Sequence, residues 1–372
     1  MNSLKQAREH IQSVDRRMAA LFEERMQAVS DVAAYKQAHG LPILDERREA
    51  EVIERGCALI GDELLRSYYV TFLQQVMRVS RSYQARLLQG MQVAYSGTEG
   101  AFAHLAARKL YPTARLCAYP DFEAAYRAVA DGSCDAAVLP IENSTGGEVG
   151  RVSDLMLSGS LYVNAVTELS ITQDLLGLKG AHTDDIREVI SHPQALSQCA
   201  SFLREKGYAT REFENTALAA KHVAELGDPT VAAIASAQAA EIFGLEVLAR
   251  NINESRINTT RFAAFSRVAH RPAPNESDVR SLLLFSVRNE AGALAKAIGI
   301  IGQHGFNMCT LRSRPIKETL WEYYFYVEVE GDLGGPEGEQ MLSELATYCD
   351  RLKTVGTFLH TEGDAPSQKE TP

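Results

Sequence analysis

SLKQAREHIQSVDRRMAALFEERMQAVSDVAAYK, residues 3–36, contains neither proline nor glycine, and its apolar residues recur at Leu4, Ala7, Ile11, Val14, Met18 and Leu21. That spacing is a heptad-like stripe and predicts one continuous helix. At about 1.5 Å per residue the helix is about 50 Å long, more than a ninety-residue domain is wide, so it cannot bury its stripe alone. Two further helices are predicted over 45–59 and 63–88, separated by His39-Gly40-Leu41-Pro42 and Ile60-Gly61-Asp62. Residues 1–90 are therefore expected to form a three-helix unit that dimerises, with the long helices of two chains packed together.

Beyond Gly90 the texture changes. Short β-branched or aromatic runs at 92–96, 136–140, 161–166, 188–191 and 231–235 alternate with Ala-rich helical stretches, the signature of an α/β domain over 91–268. A Pro-rich linker over 269–279 follows, including His270-Arg271-Pro272-Ala273-Pro274. Residues 280–362 then predict strand (281–287), helix (291–304), two strands (308–315 and 321–330), helix (338–348) and strand (353–360). This βαββαβ order is that of a ferredoxin-like plait, and 363–372 form a polar tail. The fold class expected is thus multidomain: an all-α three-helix dimerising domain, a two-lobed α/β domain, and a ferredoxin-like domain. A length of 372 residues agrees with that division.

The composition, 45% hydrophobic and 23% charged, is that of a folded globular chain. A net charge of −10 argues against a nucleic-acid partner, which needs a basic footprint. The charge is uneven, with thirteen Lys/Arg against twelve Asp/Glu in residues 1–90 and a net of −11 in the rest. An anionic ligand of the helical region must therefore be held by local arginines. No apolar run approaches the ~18 residues that cross a bilayer, and the opening residues are polar, so no membrane association and a cytoplasmic location are expected. Six dispersed cysteines without a C-x-x-C pair are expected to be reduced core residues, and no metal or cofactor is expected.

Continuing the helical seam by sevens from Leu4, Ile11 and Met18 reaches Arg25, and a guanidinium in a packed seam is costly unless an anion meets it. Lys36 lies about 20° round the helix from Arg25, so the two cations face the same way. Arg8 is about 25 Å along from Arg25 and can join it only as the copy from a second chain. Asp45, Arg48 and Glu49 share a face of the second helix, and Ser80 and Gln84 share one of the third. Each alone reads as a solvated surface group; the joint pattern carries the weight. The segments AREHIQSVDRRMAALFEERM, YKQAHGLPILDERRE and VSRSYQ resemble the all-helical chorismate mutase domain. The resemblance implies a chorismate pocket lined by Arg8 of the partner chain, Arg25, Lys36, Asp45, Arg48, Glu49, Ser80 and Gln84. It also implies prephenate as product. The rearrangement is unimolecular and needs no nucleophile, so positioning and charge stabilisation must supply the rate. Lys36 and Gln84 are the candidates for the ether oxygen; the arginines would hold the carboxylates, and Glu49 the ring hydroxyl.

In the α/β region, Leu139-Pro140-Ile141-Glu142-Asn143-Ser144 closes one apolar strand and Ser191-His192-Pro193-Gln194 another, where ligands of open sheets gather. Taken singly, these polar residues read equally as turn and cap residues, and His192 as a structural histidine. Together VAYSGTEGAFAHLAA, LPIENSTGG, SHPQALSQC and NTTRFAAFSR resemble prephenate dehydratase, in the order usual for that family. The resemblance makes Thr260 the catalytic hydroxyl that polarises the departing ring hydroxyl. It places Asn143, Ser191, Gln194, Glu214 and Thr216 at the substrate; Glu142 is a separate candidate, a proton reservoir should burial raise its pKa. Ala101 and Ala103 stand where relatives usually carry hydroxyls, so no contact through those side chains transfers.

In the C-terminal region, Asn289-Glu290-Ala291-Gly292-Ala293-Leu294 sits at a strand-to-helix turn and Arg312-Ser313-Arg314-Pro315 near a strand end. The region resembles the ACT regulatory domain, which implies a phenylalanine site between subunits formed by Gly292, Ala293, Leu294, Ser313, Arg314 and Pro315. Arg312 departs from the glutamate common there. All three regions resemble the bifunctional chorismate mutase/prephenate dehydratase family. That implies two activities, a homodimer or higher oligomer, and feedback inhibition of the dehydratase by L-phenylalanine. The competing class is a non-catalytic aromatic-acid sensor, against which the inward cations and Thr260 count.

Overall fold

The computed structural model describes residues 3–255, 257–273, 276, 278–316 and 322–360; the predicted polar tail, Trp321 and parts of the linker lie outside them. The described residues form two compact units, one running to Gln92 and including Gly132–Cys134, the other comprising the rest.

The first unit contains α1 (Leu4–Ala38), α2 (Glu46–Ala58) and α3 (Glu63–Gln89). Ser3 opens α1 with a capping box to Gln6, while Asp45 and Asp62 cap α2 and α3 by accepting backbone N–H groups of the first turn. Gly90, at φ 77°, ends α3 in a conformation open to glycine. Only Met26, Val29 and Ala33 of the 35-residue α1 are buried, while Leu4, Ile11, Met18 and Leu21 are exposed. The stripe read from the sequence is therefore bare along the first half of the helix.

The second unit runs β1 (Gln92–Ser96), α4 (Phe102–Leu110), β2 (Arg115–Tyr119), α5 (Phe122–Ala130), β3 (Ala136–Asn143), β4 (Gly147–Glu148), α6 (Gly150–Ser158) and β5 (Tyr162–Ser170). There follow β6 (Asp174–Gly177), β7 (Glu188–Ser191), α7 (Pro193–Gln198), α8 (Ala200–Lys206), β8 (Ala209–Glu212), α9 (Thr216–Leu226), β9 (Val231–Ala235), α10 (Ala237–Phe243), β10 (Glu246–Ala249) and β11 (Thr259–Ser266). They build two sheets, β2-β1-β3-β11-β5 with β4 on β3, and β10-β6-β9-β7-β8. The chain crosses between these lobes after β5 and returns before β11. The crossings are tied together by Ile171 N–H to Asn258 O and Ile252 N–H to Gln173 O, both 2.8 Å. Central β9 reads VAAIA and is buried throughout, because both faces of an inner strand are covered.

Next come β12 (Val279–Ser286), α11 (Ala293–Gln303), β13 (Met308–Pro315), β14 (Tyr323–Glu330), α12 (Pro336–Leu345) and β15 (Arg351–Leu359), forming an antiparallel sheet in the order β13-β14-β12-β15. This is the βαββαβ plait, with its core between the sheet and α11 and α12. The plait is not a separate body; it belongs to the same compact unit as the two lobes. β15 lies beside β5. A Cβ on Gly356 would overlap the Val163 carbonyl, and the Lys353 ammonium caps the end of α6 through Met156 O (2.5 Å) and Gly159 O.

Candidate active sites

In the helical unit, α1 and α3 bring Arg25 to the Ser80 hydroxyl, and Ser80 in turn donates to Val76 O at 2.7 Å. Arg25 is half-buried, and that burial lowers its pKa. Ser80 and Gln84 are buried one turn apart, and the Gln84 Oε1 has no partner among the described residues. Lys36 is also half-buried, with Nζ on the Ile43 carbonyl at 2.5 Å. Four predicted residues stand apart from that group. Arg8 is exposed. Asp45 serves as the cap of α2, accepting the Arg48 N–H at 3.0 Å, and Arg48 itself pairs with Glu51 on its own helix at 3.2 Å. Glu49 is held by Arg81, a residue the sequence reading did not single out.

In the α/β unit a cavity of about 540 Å³ lies between the lobes. Pro140 and Asn143 both line it although three residues apart, because β3 bulges opposite Arg261 and Phe262 of β11 and so breaks strand alternation. Thr260 pairs in register with Asn143 and is 8% exposed. The orientation of the Asn143 amide is fixed, since its Oδ1 accepts the backbone N–H groups of Thr145 (3.0 Å) and Gly146 (2.7 Å). Its Nδ2 therefore donates to Asn258 Oδ1 at 2.7 Å and to Thr260 Oγ1 at 2.9 Å. The threonine oxygen is used as an acceptor, which leaves its O–H as the remaining donor of a residue that lines the cavity.

Gln194 and Thr216 also line the cavity, with Gln173, His192, Gln198, Asn215 and Asn258. Gln173 escaped the sequence reading, since a lone polar residue in an irregular crossing carries no periodic signal. It is 3% exposed, and its Oε1 has no partner among the described residues. Among the described residues no lysine or arginine lines the cavity. Helix starts are there instead: the N-caps of α4, α6 and α9 (Ala101, Val149 and Asn215) are all at the wall, the first two make no side-chain cap, and Glu148 also lines it.

Three expected dehydratase residues lie elsewhere. Glu142 points to the opposite face of β3, where Arg261 (3.4 Å) and Arg312 take its carboxylate, so its placement as a proton reservoir for the cavity is corrected. Ser191 is fully buried and donates to Ile234 O at 2.7 Å, a bond that holds β7 to β9. Glu214 is exposed and outside the cavity lining.

In the plait, Gly292 caps α11 at φ 82°, and Leu294 lines a cavity of about 340 Å³ with Arg288, Asn289, Glu290, Phe325 and Asp350. Ser313 and Pro315 are exposed on edge strand β13. Arg314 is turned towards the first lobe, reaching Glu148 (3.4 Å) and Asp154 (4.0 Å), so one chain does not join it to the Gly292 turn.

Residues 93–270 match the prephenate dehydratase family model and residues 7–85 that of chorismate mutase type II. A bifunctional chorismate mutase/prephenate dehydratase from Enterobacter agglomerans is 34% identical over 374 residues, 96% of each chain. A solved prephenate dehydratase from Arthrobacter aurescens in complex with L-Phe has a TM-score of 0.66 at 25% identity, covering 73% of this chain and 90% of its own. A protein described as a novel type of quorum quenching acylase has a TM-score of 0.67 at 32% identity, covering 73% of this chain and 98% of its own.

Proposed function

The chain belongs to the bifunctional chorismate mutase/prephenate dehydratase family, with an enzyme domain of each kind, and from that premise we propose that it turns chorismate into prephenate and prephenate into phenylpyruvate under feedback by L-phenylalanine. In the first reaction the dicarboxylate is gripped by Arg25, by Arg48 and by Arg8 from a second chain. Lys36 and Gln84 then polarise the breaking ether bond. The bare stripe of α1 supports a homodimer, since a second α1 would cover it and bring Arg8 within reach.

In the second reaction the bond from ring carbon to carboxylate breaks, its electron pair enters the ring, and the ring hydroxyl leaves with its own bonding pair as hydroxide; carbon dioxide, hydroxide (water once it takes a proton from solvent) and an aromatic product result. The observation that carries this reading is the Asn143–Thr260 hydrogen bond, which uses the threonine oxygen as an acceptor at the cavity wall and leaves its proton as the group's one donor. Thr260 donates to the departing oxygen, Gln194 and Thr216 bind substrate, and the bare N-termini of α4 and α6 receive its carboxylates in place of arginines. The Arthrobacter relative's complex with L-Phe supports phenylalanine as the effector, and the resemblance of the plait to a regulatory domain is what places the site there. Gly292, Ala293 and Leu294 would bind it in one chain, with Ser313 and Pro315 from a neighbour; Arg314, engaged with Glu148, is the weakest of the set. Incubating the protein with chorismate while following prephenate and phenylpyruvate separately tests the whole scheme, and a flat dehydratase rate up to millimolar phenylalanine would remove the feedback.

A further inference from the structure

We propose that Glu328, in the C-terminal plait, is a positioning residue for the dehydratase hydroxyl, acting through Arg261 on the strand that carries Thr260. The inference rests on the dehydratase reading and adds to it a residue 68 positions downstream of Thr260 in sequence.

Adjacent residues of a strand point to opposite faces. On β11, Thr260 faces the cavity and Arg261 faces the plait; on β3, Asn143 faces the cavity and Glu142 the plait. The plait grips both outward residues. Arg261 forms a fork with Glu328, Nη1 to Oε2 at 2.9 Å and Nη2 to Oε1 at 3.1 Å. Glu142 is taken by Arg312, whose guanidinium also stacks over the Tyr326 ring at 5.9 Å. Arg280 completes the cluster, donating to Glu328 at 2.9 Å, and Glu168 lies 4.0 Å from Arg261. The two strands that present the hydrogen-bonded Thr260–Asn143 pair are thus each pinned one residue away.

Glu328 is fully buried. Burial works against its charge, but the hydrogen bonds and charges of Arg261 and then Arg280 outweigh it and hold the carboxyl below its ordinary pKa. A buried ion pair of this kind is often no better for stability than apolar residues of the same size. Geometry is what it supplies. A two-pronged guanidinium–carboxylate fork fixes direction as well as distance, and it fixes the φ/ψ of Arg261 next to the reacting hydroxyl. Since a displacement of about 1 Å at a reacting group costs roughly 10²-fold in rate, this anchor belongs to the dehydratase although it touches no substrate.

The test uses the full chain, whose mutase rate is the internal control. Glu328→Gln keeps the shape and removes the charge; it is expected to lower dehydratase kcat about 10- to 100-fold, with KM for prephenate and the mutase rate within about threefold of wild type. Arg280→Met also breaks a buried pair but leaves the Arg261 fork intact. It is expected to lower the melting temperature while keeping dehydratase kcat within about threefold. Glu328→Asp should recover part of the loss. A folded Glu328→Gln enzyme with wild-type kcat, or an equal kcat loss in Arg280→Met, would overturn the proposal. Should Glu328→Gln fail to fold, Arg312→Gln tests the second anchor: a loss of about fivefold or more in dehydratase kcat supports the mechanism, and none overturns it. If the wild-type chain forms no phenylpyruvate at all, the dehydratase reading itself fails, an outcome distinct from these.

Discussion

The helical unit and the α/β unit offer an anionic substrate different chemistry. On the helices the proposed contacts are side-chain cations, Arg25 and Lys36 on the flank of α1 and Arg48 in the first turn of α2, where Asp45 already takes its backbone N–H. In the interlobe cavity no lysine or arginine stands among the described lining residues, and three helices begin at the wall instead. The difference follows from architecture. A helix flank has its backbone N–H groups already spent in the i→i−4 ladder, so only side chains can bring positive charge. An α/β sheet collects helix starts at its strand ends and can do so with unspent backbone amides.

The largest expected effect separates the two regions outright. Lys36→Ala should cut prephenate formation from chorismate about 10²- to 10³-fold while sparing phenylpyruvate formation from prephenate, and Thr260→Ala should do the reverse. Parallel losses in both assays would erase the distinction. Next in size, Gly356→Ala forces a methyl against the Val163 carbonyl and should destabilise the α/β unit by about 1–3 kcal/mol, read as a lower melting temperature with an unchanged mutase rate.

Smaller effects sharpen the electrostatic contrast. Raising ionic strength from about 0.05 to 0.5 M should raise the mutase KM more than the dehydratase KM, because Arg48 is an exposed full charge that salt screens whereas no lysine or arginine stands among the described residues of the cavity wall. Equal salt slopes would show that the cavity depends on charges elsewhere. Gln173→Leu removes a buried amide oxygen that has no partner among the described residues, so it should leave stability equal or slightly raised while raising KM for prephenate several-fold. If KM does not move, Gln173 takes no part in binding. Smallest is the acid limb. The folded pKa of Glu328 lies below its unfolded value, so its contribution is complete above about 4.3 and is lost as pH falls through the folded value. Acid unfolding of the α/β unit should therefore begin at higher pH in Glu328→Gln, tracked by circular dichroism.

Much of the fold was legible because periodicity is local. The heptad stripe, the buried run VAAIA and the βαββαβ order each depend on residues a few positions apart, and the observed α1, β9 and plait follow them closely. β2, β8 and β10 went unread because they lie at sheet edges and lack the buried apolar run that marks the equally short β1, β7 and β9, and β6 offers only Leu175 and Leu176. At the sites, Thr260, Asn143, Gln194 and Thr216 were legible as motif residues and do line the cavity. Glu142 was misplaced because a motif fixes neighbourhood along the chain but not which face of a strand a residue takes, and here a bulge decides that.

Sequence alone settled which chemistry-bearing side chains the chain owns and which secondary elements carry them, since both are functions of near neighbours. Only the tertiary structure decided that Arg261 meets Glu328, that Glu142 is spent on Arg312, and that three helix starts come to the wall of the interlobe cavity. Those outcomes depend on residues tens to hundreds of positions apart. Their pairing is chosen by sheet order, register and the burial of charge, quantities that exist only once the chain has closed on itself.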